Sequence, residues 1–278
     1  MPSSSPLNGH SIRSALTTKW LGHRIELRDQ VGSTNREAVT LAQSGVEDGT
    51  AVLADSQTEG HGRLSRRWFS PPGINVYCSI VVRKSIESES LSDWLSWLPL
   101  ITAVASAEAI ETVTGRPVDV KWPNDLLISD RKVGGILCES GTTGTIPFQI
   151  IGLGINVNGV QTDFPKDLQQ TAVSLRIAGG KIIDRNWLIS QLLNELEVCL
   201  DEMLEANVEK IALAYRRRCS TIGKLVKATK MDGSELFGLA ETIGIDGSLK
   251  IIQRPFPADG RPPAVHHLRA ADVVHLRS

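Results

Sequence analysis

The sequence has few cysteines, and their spacing excludes two kinds of site. The four of them are Cys78, Cys138, Cys199 and Cys219. No pair has the C-x-x-C spacing of a zinc site or a thiol–disulfide motif. With no disulfide framework indicated, the simplest interpretation is a protein with free thiols in a reducing compartment, the cytoplasm.

The chain also lacks an excess of charge of one sign and a long uninterrupted apolar run. Its 30 basic and 31 acidic residues give a formal net charge of -1. The chain therefore lacks the overall positive charge typical of proteins that bind nucleic acid. The most apolar stretch, WLSWLPLITAVASAEAI, is interrupted by Pro99 and Glu108 and is too polar to span a bilayer. The first residues, MPSSSPLNGHSIRS, show no apolar core of a secretory signal. We therefore expect a soluble protein with no nucleic-acid or membrane partner.

What the chain does have is an ordinary globular composition, 41% hydrophobic and 22% charged over 278 residues, which suits one large domain and one small one. Residues 1–20 are rich in Ser, Pro, Gly and Asn and are predicted to be flexible. Residues 21–220 are predicted to form the large domain. After Thr221 the pattern changes to short strands joined by Asp-Gly turns at Asp232 and Asp246, which predicts a small β domain over residues 221–278.

Strands and helices are mixed in the large domain without regular alternation. Thr34 and Glu37 have the capping-box spacing of a short helix that Gly45 ends. Two longer helices are predicted to end at Gly115 and to begin at Asp184 or Asn186. The strand-like segments are TAVLADSQ, NVYCSIVVR, PVDVKW, the hairpin of DLLIS with KVGGILCES, and PFQIIGLGINV. Because hairpins pair antiparallel, the pattern predicts an α+β domain, a mixed sheet with helices on one face.

A loop rich in glycine and arginine follows the first buried strand. QTEGHGRLSRRW places three arginines among closely spaced glycines. Glycine lets backbone N–H groups approach an anion, and arginine offers a fixed fork to phosphate or carboxylate. The alternative is a solvated loop whose charge serves solubility, and the local sequence does not decide between them.

A second group of charges lies in KWPND and the hairpin after it. The apolar, stiff Trp122 and Pro123 fix the directions of the polar side chains around them, and Lys132 follows after the turn. Because neighbouring strands lie about 5 Å apart, Lys121 and Lys132 can face one pocket. Two lysines with a carboxylate and an amide suit a polyphosphate and its Mg²⁺. A turn with a surface ion pair is the alternative.

The segment GLGIN, residues 152–156, is a weaker signal. It lacks the third glycine of a dinucleotide fingerprint, and no clear helix follows it. Its glycines can let a strand end pass close to a ligand, with Asn156 as a polar contact; a plain strand bulge is the alternative. Three such loops after buried strands together predict a site at one end of the sheet.

The segments GSTN, QTEGHGRLSRRWFSPPGINVY, VKWPNDLLISDRKVGGILCE and IIGLGINVN, in this order, resemble the biotin protein ligases, or biotin–[acetyl-CoA-carboxylase] ligases. The similarity is close over residues 28–160 and weaker beyond, where the family has a small SH3-like β-barrel. It implies the class II synthetase-like fold of biotin and lipoate ligases. It also implies that ATP, with Mg²⁺, activates biotin as biotinoyl-5′-AMP, and that biotin is then transferred to a lysine of a biotin carboxyl carrier domain. Members of the family often form homodimers.

The resemblance assigns roles to individual residues. Lys132 and Arg63 would be catalytic, and Asp125 would be the metal contact. The biotin contacts would be Ser33, Thr34, Gln57, Gly60, His61, Gly62, Arg63, Lys132 and Gly135. The contacts to ATP and the adenylate would be Arg63, Arg66, Trp68, Lys121, Asn124, Asp125, Lys132 and Asn156.

The chain departs from the family pattern at three places. His61 replaces an arginine of the adenylate loop, Ser65 replaces a glycine, and RAADVVHLR lacks a familiar Gly-Glu pair. If the missing arginine acts through its charge, the adenylate should be held less tightly here.

Three alternative functions remain beside this one. A lipoate or octanoate ligase or transferase shares the fold. A biotin-responsive regulator would need a helix-turn-helix, and the 32 residues before Ser33 are too few for one. A non-catalytic biotin-binding module would not need Lys121, Asp125 and the arginine loop.

Overall fold

The structure is a computed structural model that describes residues 5–83, 91–205, 207–230, 232–254, 262–269 and 271–276. Within these ranges the chain forms six α-helices and twelve strands. The helices are α1 (Gly9–Ser14), α2 (Thr34–Gln43), α3 (Leu91–Thr114), α4 (Leu175–Gly179), α5 (Arg185–Leu204) and α6 (Val208–Arg218). The strands are β1 (Ile25–Val31), β2 (Ala51–Gln57), β3 (Val76–Val82), β4 (Asp119–Lys121), β5 (Asp125–Ile128), β6 (Arg131–Thr143), β7 (Ile146–Ile155), β8 (Leu225–Thr229), β9 (Glu235–Ile243), β10 (Leu249–Gln253), β11 (Val265–Leu268) and β12 (Asp272–His275).

Strands β1 to β7 form one mixed sheet in the order β1-β2-β3-β7-β6-β5-β4. Only β1 and β2 pair in parallel, and the other neighbours are antiparallel. This confirms the predicted mixed sheet and the β5–β6 hairpin. Strand β1 was not predicted, because its sequence IELRDQV carries the charges of a half-exposed edge, where Arg24 and Arg28 pair with Glu26.

Both faces of the sheet are covered by helices. On one face, Leu53, Ile80 and Ile151 belong to a core shared with α3 and α5. On the other face, α2 packs Ala38 and Ala42 on the strands. The expectation of helices on one face therefore holds for α3 and α5 but is wrong for α2. Successive strand residues point to opposite faces, and the central strands are apolar at nearly every position, so both faces need cover.

The prediction that residues 1–20 are flexible needs a correction, because part of this segment forms α1. Ile12 is buried, and the Asn8 side chain caps the helix by accepting the Ser11 N–H at 2.9 Å. The buried Glu197 carboxylate of α5 accepts the backbone N–H groups of residues 19–21 at 2.5, 3.0 and 2.9 Å. The segment is thus tied to α5 by contacts far away in sequence, which local composition does not reveal. Residues 1–4 of it lie outside the described residues.

The ends of the helices follow the sequence signals with one exception. The Asp184 carboxylate caps α5 by accepting the N–H of Asn186 at 2.8 Å, and Gly115 follows α3 with φ +66°. Helix α2, however, begins one residue earlier than its capping-box signal indicates, with Ser33 as the N-cap. Thr34 is therefore the first helical residue, and its hydroxyl is directed to other partners.

Strands β8 to β12 form a separate antiparallel sheet in the order β11-β10-β9-β8-β12. The predicted Asp-Gly turns join β8 to β9 and β9 to β10, with Gly233 and Gly247 at φ +80° and +75°. The sheet is attached to the helical layer, because Trp97 of α3 donates its Nε1–H to Ile245 O at 2.8 Å. A small C-terminal β domain is therefore present, and its edge strand β12 faces the large domain.

The cysteines behave as structural residues. All four are free, and Cys78, Cys199 and Cys219 are buried. Burial raises the pKa of the Cys78 and Cys138 thiols to about 12, so neither is an activated nucleophile. Among the described residues, no helix is both long and apolar enough to cross a membrane.

Gly152 of β7 is expected to be essential for stability. The position of a Cβ there is taken by the side-chain amide of Asn35, which lies against the sheet. We expect Gly152→Ala to lower the free energy of unfolding by about 1–3 kcal/mol through overpacking. The measurement is urea unfolding, with Gly179→Ala as the matched control because a Cβ at Gly179 meets nothing within 4 Å. Equal stability of the two variants would contradict the close approach of Asn35.

Candidate active site

The floor of the site is a row of residues across five strands, on the face that α2 covers. The row runs through paired neighbours on successive strands: Tyr77 on β3, Gly154 on β7, Gly135 on β6, Asp125 on β5 and Lys121 on β4. The two central glycines leave the backbone bare in the middle of the row. A flat group can therefore lie close to the sheet at this point.

The indole of Trp68 covers this bare floor. A Cβ at Gly154 would lie 2.6 Å from the indole Nε1, and one at Gly135 would lie 3.5 Å from its edge. The Trp68 Nε1 is buried and has no hydrogen-bond partner among the described residues. The structure thus brings the predicted contacts Trp68 and Gly135 together and explains why the row needs glycine.

Lys132 reaches the same face through a bulge. In a regular strand, Lys132 and Gly135 would point to opposite faces, because side chains alternate. The pairing of β5 with β6 shifts register between Leu126 and Leu127, and this bulge turns Lys132 toward the floor. Its Nζ lies 2.5 Å from Asp125 Oδ1 and 5.4 Å from the centre of the Trp68 ring.

The backbone of Lys132 is held by the segment before α4. Its N–H donates to Thr171 O at 2.8 Å, and its carbonyl accepts the Val173 N–H at 2.9 Å. The buried Asn156 donates its Nδ2–H to Val173 O at 3.3 Å and to Lys132 O at 3.5 Å. Asn156, expected as a nucleotide contact, therefore supports the strand that carries Lys132.

The segment KWPND fixes Asn124 beside Arg63. A cis peptide joins Trp122 to Pro123. Asn124 donates its Nδ2–H to Ile136 O at 2.7 Å, so its Oδ1 faces away and accepts from Arg63 Nη1 at 3.4 Å. Burial lowers the pKa of the Arg63 guanidinium, against the opposing fields of Asp272 and Asp125. The guanidinium remains a cation at neutral pH.

The glycine- and arginine-rich loop folds back on itself. Trp68 donates its N–H to Gly60 O at 2.8 Å, and Gly62 donates its N–H to Arg66 O at 2.8 Å. Ser65, which stands where the family pattern has glycine, has φ +55°, a left-handed conformation that glycine adopts at the lowest cost. A glycine at this position would adopt that conformation without strain, and this chain adopts it with serine.

His61, which stands where the family pattern has arginine, is held by contacts within the loop. Its Nδ1 lies 3.2 Å from Glu59 O, and its backbone pairs with Arg67 across the loop. The backbone pairing is the contact that histidine can make as well as arginine, and the effect of the missing charge on the adenylate stays a prediction.

At the other end of the site, α2 presents its first turn to the end of β2. Gln57 Oε1 accepts the backbone N–H of Thr34 at 2.8 Å and lies 3.1 Å from Thr34 Oγ1. Gln57 donates its Nε2–H to Ser70 Oγ at 3.0 Å, and a Cβ at Gly60 would strike that hydroxyl at 2.6 Å. Ser33 is buried, and its side chain makes no cap hydrogen bond. The structure thus brings together Thr34, Gln57 and Gly60, which were predicted as biotin contacts, and adds Ser70 to this polar cluster.

The small domain contributes two residues that sequence reasoning missed. Asp272 of β12 accepts two hydrogen bonds from the Arg66 guanidinium at 3.1 and 2.5 Å. These bonds, with Lys121 and Arg63 nearby, lower the pKa of the Asp272 carboxyl. Arg66 and Asp272 are 206 residues apart, so no local spacing could have linked them.

The second missed residue is His275, at the end of β12. Burial, with the fields of Lys121 and Lys224, lowers its pKa to about 4, so the ring is neutral at neutral pH. Its Nε2 lies 3.0 Å from Thr221 Oγ1, which accepts the Trp122 N–H at 3.0 Å. The small domain thus supports the KWPND segment from behind.

Arg66, which the family resemblance assigns to ATP, is already paired with Asp272, and this leads to a prediction. A triphosphate bound at Arg66 would have to compete with Asp272 for the guanidinium, so Asp272→Asn should lower the KM for ATP about two- to fivefold at low salt, an effect that screening reduces at high salt. The measurement is the KM for ATP at both ionic strengths. Asp246→Asn is the control, because Asp246 pairs with Arg269 in a turn of the same domain. A higher KM in Asp272→Asn would instead make Asp272 a support of the loop.

The carboxylate chemistry of the site suits one kind of metal. In the part of the chain that the structure describes, no group of three His, Cys, Asp or Glu side chains could hold a metal ion. Asp125 lies in the row that forms the floor, beside Lys132. Mg²⁺ is commonly held by one or two carboxylates together with substrate phosphates, and this arrangement fits the residues present.

The comparisons with known proteins agree on one family. The model of the Biotin/lipoate A/B protein ligase family matches residues 27–156. The chain is 33% identical to the biotin–[acetyl-CoA-carboxylase] ligase of Mycobacterium tuberculosis, over 98% of this chain and 97% of that protein. It is 36% identical to the bifunctional ligase/repressor BirA of Bacillus subtilis, over 86% and 72%. The biotin protein ligase from Aquifex aeolicus in complex with biotin and ATP superposes with a TM-score of 0.75 at 26% identity, covering 92% of this chain and all of that one.

Proposed function

Because the chain belongs to the biotin/lipoate A/B protein ligase family, we propose that it is a biotin–[acetyl-CoA-carboxylase] ligase. It activates biotin with ATP as biotinoyl-5′-AMP and transfers the biotinoyl group to a lysine of a biotin carboxyl carrier domain. The observation that carries the proposal is the position of Lys132 over a glycine floor, beside the carboxylate of Asp125.

The first step brings two anions together, and the cations of the site reduce their repulsion. The biotin carboxylate must attack the α-phosphorus of ATP, and two unit charges about 4 Å apart repel by roughly 4 kcal/mol at an effective dielectric constant of 20. Lys132 over the floor can bridge the carboxylate and the α-phosphate. Lys121 at one end of the row and Arg63 beside Asn124 can hold the departing pyrophosphate. Mg²⁺, held by the phosphates and Asp125, would neutralise charge on the leaving group.

The second step needs an acyl adenylate that is protected from water. The amine of the carrier lysine attacks the acyl carbon, AMP leaves, and no side-chain nucleophile of the enzyme is required. The glycine- and arginine-rich loop, residues 58–68, can close over the adenylate, with Arg63 held near Asn124. The chain's own residues therefore orient the adenylate and exclude water.

The pocket of Ser33, Thr34, Gln57 and Gly60 suits the ureido ring of biotin. Its polar atoms offer hydrogen bonds, which the dithiolane of lipoate cannot use. This favours biotin over the lipoate or octanoate alternative. The carrier domain, a cytoplasmic location and a homodimer remain predictions from the sequence.

The test is a single incubation of the protein with ATP, Mg²⁺ and radiolabelled biotin or lipoate, followed by trapping of the adenylate. We expect biotinoyl-5′-AMP, and transfer of the label when a biotin carboxyl carrier domain is added. Lipoyl-AMP as the main product would support the alternative enzyme, and no adenylate with either acid would refute the proposal. A gel shift with the protein's own promoter tests the regulator, for which we expect no shift.

A further inference from the structure

We propose that Asn35, Ser79 and Glu139 are positioning residues that fix the Thr34 hydroxyl as a hydrogen-bond acceptor toward the ligand. The pocket would thereby select a head group that carries an N–H donor, as a cyclic urea does. The inference rests on the proposed function and adds to it the residues that set its specificity.

The three residues form a chain of hydrogen bonds behind Thr34. Asn35, the second residue of α2, donates its Nδ2–H to Glu139 Oε2 at 2.6 Å and to Leu137 O at 3.2 Å, both on β6. Its Oδ1 lies 2.6 Å from the hydroxyl of Ser79 on β3. That hydroxyl lies 2.8 Å from Thr34 Oγ1. This series of hydrogen bonds links α2 to two strands of the sheet, β3 and β6.

The chemistry of the groups decides where each hydrogen lies. A carboxylate can only accept hydrogen bonds, so the amide nitrogen of Asn35 has to face Glu139. Asn35 Oδ1 then faces Ser79 and can only accept. The single hydroxyl hydrogen of Ser79 is therefore donated to Asn35.

The same argument fixes the hydroxyl of Thr34. With its hydrogen given to Asn35, Ser79 Oγ can only accept from Thr34. The other neighbour, Gln57 Oε1 at 3.1 Å, is also an acceptor, because the Gln57 Nε2 donates to Ser70. Whichever oxygen takes the Thr34 hydrogen, that hydrogen points into the protein, and lone pairs of Oγ1 are left for a ligand.

The arrangement is built into the packing. Asn35, Ser79 and Thr34 are all buried, so reversing the direction of the chain would leave donors or acceptors unpaired at high cost. The Asn35 amide lies against the sheet at Gly152, where there is no room for a Cβ. The polarity of Thr34 is therefore set before the ligand arrives, and a head group without a donor leaves a buried oxygen unpaired.

The test is Glu139→Gln, which keeps the size of the side chain but replaces the shorter of the two acceptors of the Asn35 amide with a group that can also donate, so that Leu137 O, at 3.2 Å, alone opposes reversal of the amide. We expect the KM for biotin to rise about tenfold, the effect of losing one well-oriented hydrogen bond. The KM for desthiobiotin, which keeps the urea, should rise equally. The KM for ATP should not change, and neither should the rate of any slow reaction with octanoate. Glu26→Gln, on edge strand β1 of the same sheet, is the matched control.

A double-mutant cycle separates positioning from general damage. In a Thr34→Val background, Glu139→Gln and Ser79→Ala should have no further effect on the KM for biotin, because the hydroxyl that they orient is gone. Additive effects in the cycle, or equal losses with biotin and octanoate, would overturn the inference. So would an unchanged KM for biotin in both Glu139→Gln and Ser79→Ala. An inactive wild-type protein would count against the proposed function, whereas active variants with wild-type specificity count against this inference alone.

Discussion

Lys132→Ala is expected to slow biotin-dependent ATP–pyrophosphate exchange on the order of a thousandfold, because it removes the cation at the point where two anions have to meet. The loss should appear in kcat, since the charge acts most strongly as the carboxylate reaches the phosphorus. The measurement is exchange of labelled pyrophosphate into ATP at saturating biotin. Lys166→Ala, which removes a lysine from an exposed turn, is the control and should be fully active.

A second variant separates two roles that Lys132 combines. Its ammonium also neutralises Asp125, at 2.5 Å. If that were its main purpose, removing both charges in Lys132→Ala/Asp125→Ala would restore much of the rate. We expect no restoration, because the double variant lacks both the bridge between carboxylate and phosphate and the carboxylate predicted to contact Mg²⁺. Near-normal exchange in either variant would refute the assignment.

Arg63→Gly is expected to release the adenylate from the site and to spread biotin to lysines of unrelated proteins. Arg63 is the half-buried guanidinium that ties the loop to Asn124, and without it the loop should close less tightly over biotinoyl-5′-AMP. We expect the first step to remain within about tenfold of wild type while selectivity falls, since the reacting groups are still in place.

The measurement is mass spectrometry of biotinylated lysines after incubation with a mixture of carrier domain and serum albumin. Arg67→Gly is a matched control in the same loop, because its side chain is exposed and has no predicted role. Equal target selectivity in the wild-type protein and Arg63→Gly would contradict the role given to the loop.

The sequence predicted the large elements because their signals are local. The β2 strand, the β5–β6 hairpin and the Asp-Gly turns each depend on residues close together in the chain. Strand β1 and helix α1 were missed for the opposite reason. The first is a charged edge, and the second is too short for a helical period and is held by long-range contacts to Asn186 and Glu197 of α5.

The site shows the same division between local and distant signals. Motif resemblance brought together Lys132, Asp125, Arg63 and Trp68, which the structure gathers around one floor. It could not reveal Asp272, because its partner Arg66 lies in a distant segment. It also could not show that Asn156 holds a strand, since that contact depends on how residues 171–173 fold back over Lys132.

The contacts that the edge strand β12 makes to the site form late in biosynthesis, because β12 follows the rest of the site in the sequence. Every residue given a role from the family resemblance lies between Ser33 and Asn156, and domains fold from the N-terminus as they emerge from the ribosome. Asp272 and His275 are synthesised more than a hundred residues after Asn156. Arg66 and the KWPND segment therefore gain the contacts that β12 supplies only after the residues of the site have been synthesised.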